Sequence, residues 1–277
     1  MSLRQPQVPG DAARLEALSR ECPGLEIEAV RTTASTSSDL LERLRRGDTT
    51  PRLRVASHQT AGRGRHGRTW RAEPGASLTF SVALPIARSD WSGLSLAIGS
   101  ALADALDAAE PPRIGLKWPN DLWILDAPGR GRKLGGILIE SVVAPAPRVA
   151  VIGVGLNMRA FASDGATDAP HEADLACLAE LDPSLDAMSA LARVAPAMVR
   201  AVERFDAEGF AAFHAAYARR DGLAGHAVRT THPQAEAGIA LGVTRAGALV
   251  VRTVDGARVE VTSGDVSVRP ASTALLR

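Results

Sequence analysis

Apolar positions recur at helical spacing over Asp11–Glu21 (DAARLEALSRE), which predicts a short helix. They alternate over Leu25–Arg31, which predicts a strand. The hydroxyls and carboxylate of Thr36-Ser37-Ser38-Asp39 stand before LLERLRRG, a helix start with Gly47 as its stop. A short strand is expected over Leu53–Ser57, and a Gly- and Arg-rich loop without periodicity over His58–Trp70. Ser77–Leu84 (SLTFSVAL) reads as a strand. Trp91–Ala109 is apolar on most sides and reads as a buried helix capped by Ser89 or Asp90. Ile114–Trp118 and Leu122–Leu125 form strands around a tight Pro119-Asn120-Asp121 turn, with Leu134–Val143 and Val149–Leu156 as a further pair. Asp126–Arg132 is expected to be a flexible insert, and Ala144–Pro147 a Pro-rich turn. Ala187–Tyr217 reads as helix in two pieces, with Pro196 near the start of a turn and Gly209 interrupting.

From about Gly222 the pattern changes to short alternating runs (Ala227–Thr231, Ala237–Arg245, Ala248–Val254, Ala257–Thr262) punctuated by Arg245-Ala246-Gly247 and Asp255-Gly256. This spacing suggests a small barrel of about five strands. It places a domain boundary near residue 221, giving domains 1–221 and 222–277.

Composition narrows the class. The 277 residues are 45% hydrophobic and 23% charged, with a net charge of +1, so any attraction for phosphate is local and not chain-wide. The two cysteines, Cys22 and Cys177, are far apart, and no metal-ligand spacing is visible, which suits a reducing, cytoplasmic setting. Neither a signal peptide nor a run of about eighteen apolar residues occurs, so no membrane partner is expected.

Four segments carry chemistry. In QTAGRGRHGRTW (Gln59–Trp70), Gly62, Gly64 and Gly67 are expected to let the backbone take positive φ and approach a ligand. Arg63, Arg65 and Arg68 bring guanidinium forks that match phosphate and carboxylate oxygens, so the loop suits a lid over an anion. Its G-x-G-x-x-G spacing is not a dinucleotide fingerprint, because no helix follows. In KWPND (Lys117–Asp121), Asn120 and Asp121 sit at a strand corner, where an Asn amide can read a purine edge. In RKLGGILIE (Arg132–Glu140), Lys133 can meet a carboxylate or α-phosphate as charge develops. In VIGVGLN (Val151–Asn157), Gly153 and Gly155 leave one strand face bare for a ligand or another backbone. Taken singly, each segment also fits a solvated loop, an Asx turn, a strand-end lysine or close packing.

In this order, with Ser35-Thr36 ahead of them, these segments resemble the biotin–protein ligase family from about Ser35 to Asn157, with a weaker echo in Gly242-Val243-Thr244 and Gly264-Asp265-Val266. The resemblance implies an α+β fold: a mixed-sheet catalytic domain related to class II aminoacyl-tRNA synthetases, followed by an SH3-like barrel. It implies that Ser35, Thr36, Ser37 and Gln59 hold the biotin ureido group, and that Gly62, Arg63, Gly64 and Arg65 wrap the activated carboxyl and phosphate. Trp70 would pack beside the nucleotide, with Asn120 facing adenine; Asp121, next in the chain, is the one candidate general base for the acceptor amine, which the sequence does not settle. Lys133 would contact the biotin carboxylate and α-phosphate, and Gly136, Ile137, Gly153 and Gly155 would shape the biotin floor. Lys133, Arg63 and Arg65 are the catalytic candidates. The family often has Asn where this chain has Ser37, and the Asp126–Arg132 insert lengthens the approach to Lys133.

The implied reaction takes biotin and ATP as substrates, with Mg²⁺ carried on the phosphates, through biotinyl-adenylate to a lysine of a biotin carboxyl carrier protein. About thirty residues precede Ser35, too few for a helix-turn-helix, so no DNA partner is expected; a monomer or weak homodimer is. The rival readings are a lipoate–protein ligase, a nucleic-acid binder using the Arg/Gly loop, and a barrel-type interaction module. An aromatic content of 4% argues against base-stacking platforms.

Overall fold

The computed structural model describes residues 9–142, 148–161, 174–262 and 268–271. The Ala144–Pro147 turn and the Gly264-Asp265-Val266 echo lie outside these. The elements run α1 (Pro9–Glu21), β1 (Glu26–Thr33), α2 (Thr36–Arg45), β2 (Arg52–Gln59), β3 (Ser77–Pro85), α3 (Leu94–Leu106), β4 (Ile114–Lys117), β5 (Asp121–Ala127), β6 (Arg130–Ser141), β7 (Val149–Asn157), α4 (Ala187–Glu208), α5 (His214–Arg220), β8 (Ala227–Thr230), β9 (Ala237–Val243), β10 (Leu249–Thr253), β11 (Arg258–Val261) and β12 (Val268–Pro270).

Seven strands form a mixed sheet in the order β1-β2-β3-β7-β6-β5-β4; β1 and β2 are parallel and the other neighbours antiparallel. Every residue of β7, which is paired on both sides by β3 and β6, is buried. One face packs on α3 and α4 in the main core, where Phe80, Val82, Ile152, Val154 and Leu156 meet Ile98, Leu102, Leu191 and Val194. The other face is covered only in part, by α2, whose Leu40, Leu41 and Leu44 pack on Ala83, Val149 and Val151. The rest of that face carries glycines.

A second, antiparallel sheet runs β11-β10-β9-β8-β12, and among the described residues no pairing closes it into a barrel. Its Val228, Leu249 and Val251 join the same apolar cluster as the large sheet. The described residues ahead of Ser35 are part of the large sheet's layers: α1 packs on α4, and Arg14 pairs with Asp186 at 2.9 Å.

Four sequence expectations change. Asp126–Arg132 is not a flexible insert but a hairpin tip, with Leu125 paired to Gly131 and Ala127 to Arg130. Arg132 is clamped there between Asp126 (3.1 Å) and Glu180 (2.7 Å). Helix α3 begins at Leu94, because Asp90 spends its carboxylate on the Ser92 amide. It ends at Leu106, because the Asp107 carboxylate accepts from the amides of Ala109, Arg113 and Ile114. Pro196 lies inside α4, while Gly209 does break the helix. Finally, α2 starts directly after Ser35, so Thr36 and Ser37 occupy its first turn and not a preceding cap.

Candidate active site

The bare face of the large sheet is a floor of three glycines. Gly153 and Gly155 are two apart on β7 and share a face; Gly136 on β6 is paired directly to Gly155. A Cβ on Gly153 would lie 2.6 Å from Ser37 Oγ, and one on Gly155 would lie 2.5 Å from Trp70 Cζ2. Each glycine therefore admits something that a methyl group would exclude.

At one end of the floor stands a buried hydroxyl cluster. Thr36 donates its amide to Gln59 Oε1 at 2.7 Å; its Oγ1 lies 3.1 Å from the same oxygen and 2.7 Å from Ser81 Oγ. Ser37 Oγ lies 2.9 Å from Ser81 Oγ. These groups are neutral, nearly water-free and able both to donate and to accept. Ser35 is used locally: its Oγ accepts the Ser38 amide at 3.4 Å as the cap of α2.

At the other end the charge is positive. Asp121 sits between Lys133 Nζ at 2.7 Å and Lys117 Nζ at 3.2 Å. Burial raises its pKa, but the two ammonium groups outweigh that and hold the carboxyl below its usual range. Two lysines around one carboxylate leave a net positive corner. Asn157 fixes the strand that carries Lys133, donating Nδ2 to Lys133 O at 3.1 Å and to Ala176 O at 3.0 Å.

The Gln59–Trp70 segment folds into a finger over this floor. Trp70 N bonds to Gly62 O at 2.9 Å, Gly64 N to Arg68 O at 2.7 Å, and Arg63 bridges Thr69. Only Gly67 of its three glycines takes positive φ, as does His66; Gly62 is required because a Cβ there would collide with the Trp70 carbonyl. The Trp70 indole lies on Gly155 with Lys133 Nζ 5.7 Å from its ring centre, and its Nε1 is buried without a partner. Arg65 Nη1 donates to Asn120 Oδ1 at 3.3 Å, while Arg63 turns away to Glu140 at 2.8 Å.

A mobile-looking Arg/Gly sequence thus builds a lid over a strip that is neutral and hydrogen-bonding at one end and cationic at the other. Comparison with known proteins gives that shape a family. Residues 29–157 match the Biotin/lipoate A/B protein ligase family and residues 225–269 the Biotin protein ligase C terminal domain. The chain is 37% identical to the biotin–[acetyl-CoA-carboxylase] ligase of Mycobacterium tuberculosis, over 87% of this chain and 88% of that one. It is 33% identical to the bifunctional ligase/repressor BirA of Salmonella typhimurium, over 86% of this chain and 72% of that one. The biotin protein ligase of Aquifex aeolicus, solved with biotin and ATP, superposes with a TM-score of 0.72 at 25% identity, covering 89% of this chain and 99% of that one. The chain belongs to the biotin protein ligase family.

As a member of that family, the chain brings together Thr36, Ser37, Gln59 and Gly153 at one end, and Arg65, Trp70, Asn120, Asp121, Lys133, Gly136 and Gly155 at the other. Besides Ser35, which caps α2, two expected residues stand elsewhere. The Ile137 side chain points to the opposite face, 3.7 Å from a Cβ position on Gly99 of α3; its backbone reaches the site, the carbonyl accepting from Asn120 Nδ2 at 2.7 Å and the amide donating to Asn120 O at 3.0 Å. Asn120 has therefore committed its amide to Ile137 and Arg65. Arg63 is held by Glu140, apart from Lys133.

Ser81, Lys117 and Asn157 adjoin the candidate site and Glu140 holds Arg63 away from it; sequence reasoning missed all four. A signal for Ser81 was present: Ser77, Thr79 and Ser81 put three hydroxyls on one face of a buried strand that is otherwise apolar. No metal-holding group of three His, Cys, Asp or Glu residues occurs among the described residues.

Proposed function

We infer that this protein is an ATP-dependent biotin–protein ligase that activates biotin as its 5′-adenylate and transfers it to a lysine of a biotin carboxyl carrier protein. The observation that carries the reading is the polarity of the glycine floor. Biotin is a neutral urea at one end and a carboxylate at the other, and the floor offers buried neutral donors and acceptors at one end and two lysines at the other.

In the first step the biotin carboxylate oxygen bonds to the α-phosphorus of ATP, the bond from phosphorus to the bridging oxygen breaks, and pyrophosphate leaves. Two anions must be brought together, so alignment and positive charge are the main demands. Lys133 supplies a charge at the reacting carboxylate, and Arg65, one residue beyond Gly64 on the finger, supplies a second from above. Asp121, flanked by both lysines, keeps Lys133 aimed before ATP arrives. Its lowered pKa makes it a weak proton acceptor, so it serves as a counter-ion. ATP enters as its Mg²⁺ complex, with the metal held on the phosphates; Asp121, with both oxygens on lysines, leaves that role to the substrate. The finger, with Trp70 lowered, shields the mixed anhydride from water. In the second step the acceptor lysine amine attacks the acyl carbon and AMP leaves.

We further propose that Thr36, Ser37, Gln59 and Ser81 bind the ureido end, with Gly136, Gly153 and Gly155 beneath the ring and chain. We place the enzyme in the cytoplasm as a monomer or weak homodimer acting on a carrier domain. No described helix is long and apolar enough to cross a membrane.

The test is exchange of labelled pyrophosphate into ATP with biotin or lipoate as the acid. Biotin-dependent exchange is expected. Exchange with lipoate alone would move the protein to the other branch of its family, and none with either acid would overturn the enzymatic reading.

A further inference from the structure

Trp118 belongs to the KWPND segment yet faces neither floor nor finger. It is fully buried, and its Nε1 donates to Gly247 O at 3.1 Å, across to the turn between β9 and β10. That turn is stiff: Thr244 N bonds to Ala248 O at 2.8 Å and Gly247 N to Thr244 O at 2.9 Å, and Thr244 Oγ1 accepts the amides of Ala246 and Ala248. It is also at backbone contact with the start of α3. Gly247 has φ +87, and a Cβ there would lie 2.7 Å from Gly93 Cα. Two residues on, Ser95 of the same helix donates to Pro119 O at 2.9 Å. The turn, the first turn of α3 and Trp118 thus form one wedge, and Pro119, Asn120 and Asp121 follow directly from it.

We propose that Trp118 is a positioning residue through which the C-terminal sheet sets the nucleotide side of the site; this rests on the ligase reading above. The corner's outward contacts, Arg65 on Asn120 and Lys133 on Asp121, are made by short polar side chains at fixed backbone positions. Tilting the corner moves both together. The opposite end of the floor is independent of the wedge, since the bonds joining Thr36, Ser37, Gln59 and Ser81 stay within α2, β2 and β3. Loss of the Trp118–Gly247 bond therefore perturbs ATP and the aim of Lys133 at the reacting centre, while leaving the groups at the ureido end, which carry most of the biotin affinity, in place. A residue that served packing alone would shift both substrates with stability, or neither.

The experiment is Trp118→Phe, which keeps an aromatic ring and removes the N–H, in the full chain. KM for MgATP and kcat are read from biotin-dependent pyrophosphate exchange, and biotin affinity without ATP from calorimetry. An ångström-scale displacement at a reacting centre costs roughly tenfold to a hundredfold in rate. A loss of that size in kcat/KM for MgATP, with biotin affinity within about threefold of wild type, is expected. Unchanged ATP parameters, or equal losses for ATP and biotin, would overturn the proposal. Should Trp118→Phe not fold, Thr244→Val removes the hydroxyl that accepts the Ala246 and Ala248 amides, at a half-buried position outside the core, and the same split decides. Absence of exchange in the wild-type protein would instead refute the ligase reading.

Discussion

The glycine floor can be tested by adding one carbon at either of two paired positions. At Gly155 the new methyl would lie 2.5 Å from Trp70 Cζ2 and 2.6 Å from Nε1. Carbon contacts are at rest near ~3.5–4.0 Å, so the indole must retreat by about 1 Å. Overpacking costs ~1–3 kcal/mol inside a core. Trp70 is carried by a finger that can lift, so Gly155→Ala belongs at the low end, about 1 kcal/mol, or roughly 2–4 °C in Tm for a chain of this size. Lifting the finger also separates Arg65 from Asn120, so biotin-dependent exchange should fall at least about tenfold. Gly136, across the ladder, is the control. A methyl there finds its nearest neighbours, Lys133 Nζ and Asp121 Oδ1, at 3.5 and 3.6 Å, which is ordinary contact. Gly136→Ala should keep its Tm within about 1 °C, well inside the shift expected for Gly155→Ala, yet lose exchange, because the methyl sits where the ligand passes. Calorimetric unfolding and exchange on both variants check the argument. Equal Tm losses at the two positions, or full activity in Gly155→Ala, would refute it.

Ser81→Ala removes the partner of the Ser37 hydroxyl and one of two at Thr36; an unsatisfied buried hydroxyl costs about 1–3 kcal/mol, so both stability and biotin affinity should drop, by chemical denaturation and calorimetry. Lys133→Met should lower kcat for exchange by roughly 10²–10³ while biotin still binds, and equal loss of both would mean that Lys133 holds the ground state. Asp48, on the surface, is drawn from 3.8 to about 2 by its hydrogen bond to Arg52 and those from Thr50. Its folded-state pKa is depressed, so its contribution is complete above 3.8 and fades as pH falls toward about 2. The Tm gap between wild type and Asp48→Asn should therefore close over that window, and a gap surviving at its lower end would refute the pairing.

The chain's local chemistry settled much of this. Alternation and helical period placed the core strands β3, β6 and β7 and the buried helix α3, because a residue's side of a strand or helix depends on its immediate neighbours. The glycine pairs announced a bare face, and the order of Arg, Asn, Asp and Lys motifs disclosed the family. What the sequence could not decide was who meets whom. Ser81 lies 44 residues beyond Ser37, Glu140 lies on a strand far from Arg63, and Gly247 is 129 residues from Trp118. A hydrogen bond needs a donor within about 3 Å of an acceptor, and only the packing of sheet on helix and turn on helix sets such distances. Local reading also misjudged direction: the register of β6 sends Ile137 to the α3 face and Gly136 to the floor. The same applies to Asp126–Arg132, whose Gly and charges look like a loose insert until Glu180, brought from beyond the sheet, clamps Arg132 in place. Residue types named the available chemistry; the tertiary fold assigned each group its partner and its side.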